Sequence, residues 1–411
     1  MTQYYDDLET RIDAERARSL ATQLPAVLAR AKSRSPYFAR VLAEFDPAAI
    51  TTREALARLP VLRKSELSER QQAQPPFGGL TTVPVGELAR VFRSPGPIYE
   101  PQARRPDYWR FARAMHAAGF RAGELVHNTF SYHFTPAGHM FEAGAEALGC
   151  PVFPAGVGNT EHQVRAIADL RPLCYTGTPS FLNIILQKAD EMGADVSSLR
   201  KGLVTGEALP SALRERLQAR GIVLYQCYGT ADLGLIAYET EAREGLVVDE
   251  GVIVEIVRPG TGDPVPDGEV GEVVVTVLNP EYPLIRFATG DLSAVLPGKS
   301  PCGRTNMRIK GWLGRADQTT KVRGMFVHPS QVNEIVKRHP EVGRARLVVS
   351  REQDSDVMTL YCETAQPSEA LADALVATIR DVTTLRGEVR LVLPGELAND
   401  GKVIDDQRDH G

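Results

Sequence analysis

The sequence predicts an α/β protein with a large N-terminal domain and a small mobile α+β C-terminal domain. The large domain carries a mainly parallel sheet plus an antiparallel β subdomain. Three observations support this. Strand-like and helix-like segments alternate from 124 to 229, the apolar period shortens to two between 246 and 278, and a different order of elements begins after Pro329. The expected division is 1–315 and 316–411, with a helical part at 1–70 and the β subdomain at about 246–300.

A chain of 411 residues exceeds what one hydrophobic core usually serves, so more than one domain is expected. Hydrophobic residues at 43% and charged residues at 24% are ordinary for a globular protein. A net charge of -5 argues against a general nucleic-acid binder. No apolar run is long enough to span a bilayer, and the N-terminus lacks the basic and apolar regions of a signal peptide. Cys150, Cys174, Cys227, Cys302 and Cys362 are scattered and odd in number, which argues against a disulfide framework or a thiolate zinc site. The expectation is a cytoplasmic protein with neither a nucleic-acid nor a membrane partner.

Taken in order, residues 9–32 place Ile12, Leu20, Leu24, Val27 and Leu28 at helical intervals. Pro25 either kinks that helix or opens a second one, where its missing N–H costs nothing. A further amphipathic piece at 53–59 ends at Pro60, and residues 1–70 read as helices on the outside of the first domain. Strands are expected at 124–130, 151–154, 173–176, 202–205 and 222–227. Helices are expected at 137–148, 160–170, 179–192 and 210–220, three of them followed by Gly149, Gly193 and Gly221. Short loops between alternating elements imply parallel strands with right-handed crossovers.

In such sheets ligands bind at the carboxyl ends of the strands. Three of these ends read Gly177-Thr178-Pro179-Ser180, Gly206-Glu207-Ala208 and Tyr228-Gly229-Thr230-Ala231-Asp232. Glycines there allow close approach of a ligand, and Glu207 and Asp232 add carboxylates. Each loop alone could be a simple turn; three on neighbouring strands point to one crevice.

Alternation at Val252, Val254 and Ile256, and again at Val273, Val275 and Val277, predicts antiparallel hairpins around the turn formers of 258–269. The stretch from Arg286 to Pro329 has the composition of a joint, with Arg, Gly and Asp in two short blocks; its plainer reading is two surface turns. Beyond it, a helix is expected at 330–338, strands at 344–350 and 357–363, a helix at 368–385 and a strand at 388–393. A charged, mobile tail is expected to follow.

Four pieces give the chain a family resemblance: Tyr228-Gly229-Thr230-Ala231-Asp232, Gly268-Glu269-Val270-Gly271-Glu272, Arg286-Phe287-Ala288-Thr289-Gly290-Asp291-Leu292 and Gly314-Arg315-Ala316-Asp317. In this order and approximate spacing they resemble the adenylate-forming superfamily, in its phenylacetate–CoA ligase branch. The resemblance also takes in Leu59-Pro60-Val61-Leu62-Arg63-Lys64-Ser65-Glu66-Leu67 and reaches Lys402.

The resemblance implies an acyl-adenylate made from ATP and an acid, then a coenzyme A thioester with release of AMP. It implies that Asp291 binds the ribose hydroxyls and that Arg315 offers a fork to ribose or phosphate oxygen. Gly206, Glu207 and Ala208 would face adenine, Tyr228 and Gly229 would lie against the base, and Thr230 would touch the α-phosphate. Asp232, where the family usually has Glu, would hold Mg²⁺. Lys402 would neutralise charge on the α-phosphate. Asp317 would be the hinge, with Gly324 lining the pantetheine channel. A homodimer is an expectation of the family alone.

Tyr132, His133 and Phe134 after the first parallel strand suit an aromatic acid, and a packed core of Tyr and Phe with one satisfied His fits them equally well. Ala155 and Gly156 after the next strand suit a residue pair that sets pocket depth, or a simple turn. The sequence departs from the family at its phosphate loop, where Arg93-Ser94-Pro95-Gly96-Pro97-Ile98-Tyr99-Glu100-Pro101 stands. Ser94 and Gly96 remain. Three prolines remove backbone donors, and Glu100 adds negative charge. The leading expectation is an AMP-forming aryl acid–CoA ligase of aromatic-acid catabolism acting on a phenylacetate-like acid. The alternatives are an adenylate-forming enzyme with a carrier or protein thiol as acceptor, and a non-catalytic nucleotide- or acyl-CoA-binding relative.

Overall fold

The computed structural model describes residues 3–94, 97–207, 209–316, 320–322, 325–327, 329–352, 355–398, 400 and 402–408. The chain forms two compact units. One holds residues 1–268, 273–289 and 293–312, and the other holds 269–272, 290–292 and 313–411.

The heart of the first unit is a run of parallel strands in the order Val223–Thr230, Lys201–Val204, Cys174–Gly177, Val126–Asn128, Val152–Pro154. Helices Ala137–Ala147, Thr160–Leu170, Pro179–Met192 and Ser211–Ala219 connect them. Their ends follow local chemistry. Thr178 accepts a hydrogen bond from Phe181 N, Pro179 takes the first helical position, and Gly193 ends that helix at φ 62°. Val164, Ile167, Leu182, Ile185 and Leu186 are buried together with Leu224, each worth roughly 1.5–3 kcal/mol of apolar burial.

After Thr230 the chain reverses into Gly234–Tyr238, and the sheet turns antiparallel. It continues through Leu246–Val248, Arg308–Ile309, Phe287–Leu296, Val270–Val277 and Val252–Val257. This is the expected β subdomain, joined edge-on to the parallel strands in one sheet.

Pro25 does not open a second helix, since Asp13–Arg34 is one helix with Pro25 inside it. Asp13 and Glu15 in its first turn and Lys32 and Arg34 in its last complement the helix dipole. The N-terminal part packs an apolar face onto the first unit. Leu24, Leu28, Leu56, Leu59 and Leu62 enter the core with Val254, Val273 and Val275. It is not wholly helical. Leu62–Arg63 is a strand that pairs in parallel with Phe287 and Ala288, and this fixes where Lys64 emerges.

In the second unit, Glu388–Val392, Ser355–Glu363, Ala345–Glu352 and Ile404–Asp406 form a four-stranded sheet. Val332 and Ile335 of the helix Pro329–Arg338, and Leu375 and Ile379 of Glu369–Thr383, fill its core with Leu347, Leu360 and Ile404. The tail was expected to be mobile, yet Ile404–Asp406 is the parallel partner of Ala345–Glu352. Its one buried apolar residue, Ile404, sits among charges, so no period reveals it. No described helix is long and apolar enough to cross a membrane.

Candidate active site

The parallel strands end in the three glycine-bearing loops. Gly206 has φ 88°, a conformation that a side chain rarely adopts. Glu207 is exposed, and its Oε1 accepts a hydrogen bond from Ser180 N at 2.6 Å, at the start of the helix Pro179–Met192. Ala208 lies outside the described residues. Tyr228 is 9% exposed and donates its hydroxyl to Thr289 Oγ1 at 3.3 Å, so its ring is held against the strand Phe287–Leu296. Gly229 sits where an added Cβ would come within 2.6 Å of Gly234 O, so only glycine permits the tight reversal that follows. Thr230 Oγ1 accepts from Leu233 N at 3.2 Å and closes the turn that carries Asp232.

The Asp232 side chain has no exposed surface. Its Oδ2 takes an ion pair from Lys64 Nζ at 2.6 Å, while Oδ1 has no hydrogen-bond partner. Lys64 is the functional candidate that sequence reading missed. It lies inside a run quoted for family likeness, but nothing local marks one lysine 168 positions away as a partner.

Where the phosphate loop was expected, Leu88–Ser94 and Ile98–Ala103 form a two-stranded hairpin. Ser94 is buried, and its hydroxyl makes a long bond of 3.4 Å to Ile98 O. Gly96 lies outside the described residues. Glu100 points inward and is 1% exposed, and neither carboxylate oxygen has a hydrogen bond of good geometry. Burial and the neighbouring Asp232 charge push its carboxyl up to about 8, while Ser94 and Lys64 favour the ion only in part.

At the acid-pocket candidates, Asn128 Nδ2 donates to Tyr132 Oη and to Gly138 O, both at 2.8 Å. Burial, then Glu142, raises the Tyr132 phenol. His133 is exposed, and Phe134 is 76% exposed with φ 60°. Ala155 is half-buried. Gly156 N donates to Asn128 O at 3.1 Å, and nothing stands within 4 Å of where its Cβ would be. Asn128 therefore ties both groups of candidates to one strand end.

Arg286, at the head of the suspected joint, is structural. Its guanidinium pairs with Glu255 at 3.1 Å and donates to the carbonyls of Ala57, Leu59 and Gly262. In the second unit, Asp291 and Arg315 stand opposite each other on paired strands, with Arg315 Nη1 3.1 Å from Asp291 Oδ1. Gly290, at φ 77°, makes room, because a Cβ there would come within 2.8 Å of Arg315 Nη2. Lys402 is exposed and donates to Asp405 Oδ1 at 2.7 Å. Asp317 and Gly324 lie outside the described residues.

With this geometry in place, comparison with known proteins gives a consistent answer. Residues 109–277 match the model of AMP-binding enzymes, and residues 324–408 match that of the AMP-binding enzyme C-terminal domain. The chain is 33% identical to a phenylacetate-coenzyme A ligase of Thermus thermophilus, over 94% of this chain and 91% of that one. It belongs to the phenylacetate–CoA ligase family of AMP-binding enzymes.

The family's Aromatoleum evansii ligase is 32% identical over 82% of this chain and 81% of its own. Among solved structures, 2-hydroxyisobutyryl-CoA ligase in its postadenylation state matches with a TM-score of 0.73 and 27% identity, covering 99% of this chain and 93% of that one.

Proposed function

We propose that this protein is an ATP-dependent, AMP-forming acid–CoA ligase acting on a phenylacetate-like aromatic acid. The observation that carries the reading is the turn after Val223–Thr230, where a threonine hydroxyl and a buried, half-satisfied carboxylate stand at the carboxyl end of a parallel strand. Full-length likeness to phenylacetate–CoA ligases supports the same chemistry.

In the first half-reaction the acid's carboxylate oxygen attacks the α-phosphorus of ATP, and pyrophosphate leaves. In the second, the coenzyme A thiolate attacks the acyl carbon, and AMP leaves. Thr230 is assigned to the α-phosphate and Tyr228 to the adenine. Asp291 accepts from the ribose hydroxyls, with Arg315 as the cationic fork beside it. Lys402 carries the positive charge for adenylation. Tyr132, with its hydroxyl fixed by Asn128, forms a rigid aromatic wall for the acid. The residues present fit Mg²⁺. Asp232 Oδ1 is buried and unpartnered, as a hard cation's ligand must be, and the ion when bound would screen the phosphate charge.

Incubation with ATP, Mg²⁺, coenzyme A and phenylacetate should yield AMP and phenylacetyl-CoA in equal amounts. AMP without thioester would point to a different thiol acceptor, and neither product across a panel of aryl acids would overturn the ligase reading.

A further inference from the structure

We propose that Glu100 joins Asp232 to form a site that takes up one hard divalent cation of the magnesium class before any nucleotide arrives. The use of that ion rests on the ligase reading; its binding does not.

Three separated pieces of the first unit contribute, with the Asp232 charge acting on Glu100 and Lys64 acting on both carboxyls. The hairpin strand Ile98–Ala103 brings Glu100, the turn after Thr230 brings Asp232, and the segment preceding Phe287–Leu296 brings Tyr282. Glu100 is 1% exposed, the Asp232 side chain 0% and Tyr282 2%. Four oxygens among them have no hydrogen-bond partner: Glu100 Oε1 and Oε2, Asp232 Oδ1 and Tyr282 Oη. Buried polar groups are rarely left this way unless a ligand completes them. Tyr282 feels both carboxylates, which places the three side chains in one electrostatic cluster.

Charge bookkeeping selects the ligand. Two carboxylates face one ammonium, that of Lys64, so the ionised cluster holds one uncompensated negative charge away from water. Lys64 engages only Asp232 Oδ2, and its side chain is 29% exposed, so it can swing outward without uncovering a core. Four oxygen donors with no nitrogen or sulfur suit a hard cation. Pro97 and Pro101 have no N–H to offer a phosphate, so this hairpin cannot serve as a backbone cradle at those positions. A cation fixed on Glu100 and Asp232 would present positive charge to the phosphates in its place. The competing occupant is a proton on Glu100.

Mn²⁺ serves as the probe, with the full chain free of nucleotide and binding followed by loss of the free-ion electron paramagnetic resonance signal. The expected result is one Mn²⁺ per chain, with Glu100→Gln and Asp232→Asn each weakening it about tenfold or more. Lys64→Met, which removes the competing ammonium, should tighten it. Glu100→Gln replaces a buried carboxyl that has no hydrogen-bond partner with a neutral amide of the same size and should fold about as stably as the parent, which a urea titration checks. Failure of the parent to bind Mn²⁺, or equal affinity in Glu100→Gln, overturns the site in favour of the proton. A chain that binds Mn²⁺ but makes no thioester keeps this site and loses the ligase reading. One that makes thioester but binds no Mn²⁺ without nucleotide loses this site alone.

Discussion

Lys64 and Asp232 are 168 residues apart in sequence and 2.6 Å apart in space, and the pair locks the N-terminal part to the turn at the candidate nucleotide edge. Leu62–Arg63 makes this possible, because its pairing with Phe287 and Ala288 aims the next residue at Asp232. Removing the lysine leaves a buried carboxylate whose other oxygen is already unpartnered. Lys64→Met is therefore expected to lower metal-free stability by on the order of 3 kcal/mol in urea unfolding. The double change with Asp232→Asn should recover most of that loss. Additive losses in the double variant would mean that the two side chains stabilise the fold independently.

The contrast between this pair and the rest of the fold shows what the sequence could and could not reveal. Helices such as Pro179–Met192 were legible to the residue, because apolar spacing, the Thr178 cap and the Gly193 stop all agree, while Thr160–Leu170 was legible from its apolar spacing alone. The loop with Thr230 and Asp232 was legible as a strand end from its glycine and polar composition after an apolar run. The burial of Glu100 was not, because the sequence marks it only as a negative charge in the phosphate loop, and its burial depends on a hairpin register set by strand pairing. Arg286 marked an important place in the sequence, but its role is to gather three carbonyls from two distant segments. Only contacts distant in sequence distinguish such a clamp from a ligand-binding arginine.

A pH dependence follows from Asp107. Its Oδ2 accepts from Ala112 N at 3.0 Å at the head of the helix Phe111–Ala117, while Oδ1 is shut away from water without a partner. Desolvation raises its carboxyl from 3.8 to about 7, against the pull of the helix N–H groups and Arg110. Between these values the unfolded chain holds fewer protons than the folded one, so this group's contribution to stability falls as pH rises. It is fully present below about pH 4 and lost above about pH 7. Asp107→Asn should remove this slope and gain on the order of 4 kcal/mol over the parent between pH 4 and pH 8 in urea midpoints. Parallel pH profiles for the two proteins would show that Asp107 stays ionised in the fold.

Lys402 provides the sharpest test of the two half-reactions. Its ammonium pairs with Asp405 at 2.7 Å on the surface of the second unit, with 40% of the side chain exposed. A pair of that kind stabilises the fold by less than about 1 kcal/mol, so Lys402→Ala should unfold at nearly the same urea concentration as the parent. If the lysine serves the α-phosphate, its loss should slow acid-dependent pyrophosphate exchange by roughly 10²–10³-fold, the usual scale for removing one preorganised electrostatic partner of developing charge. Thioester formation from supplied acyl-adenylate and coenzyme A bypasses that step and should proceed near the parent rate. Equal loss in both assays would tie Lys402 to a step shared by the two halves, and no loss in either would leave it a surface ion pair with Asp405.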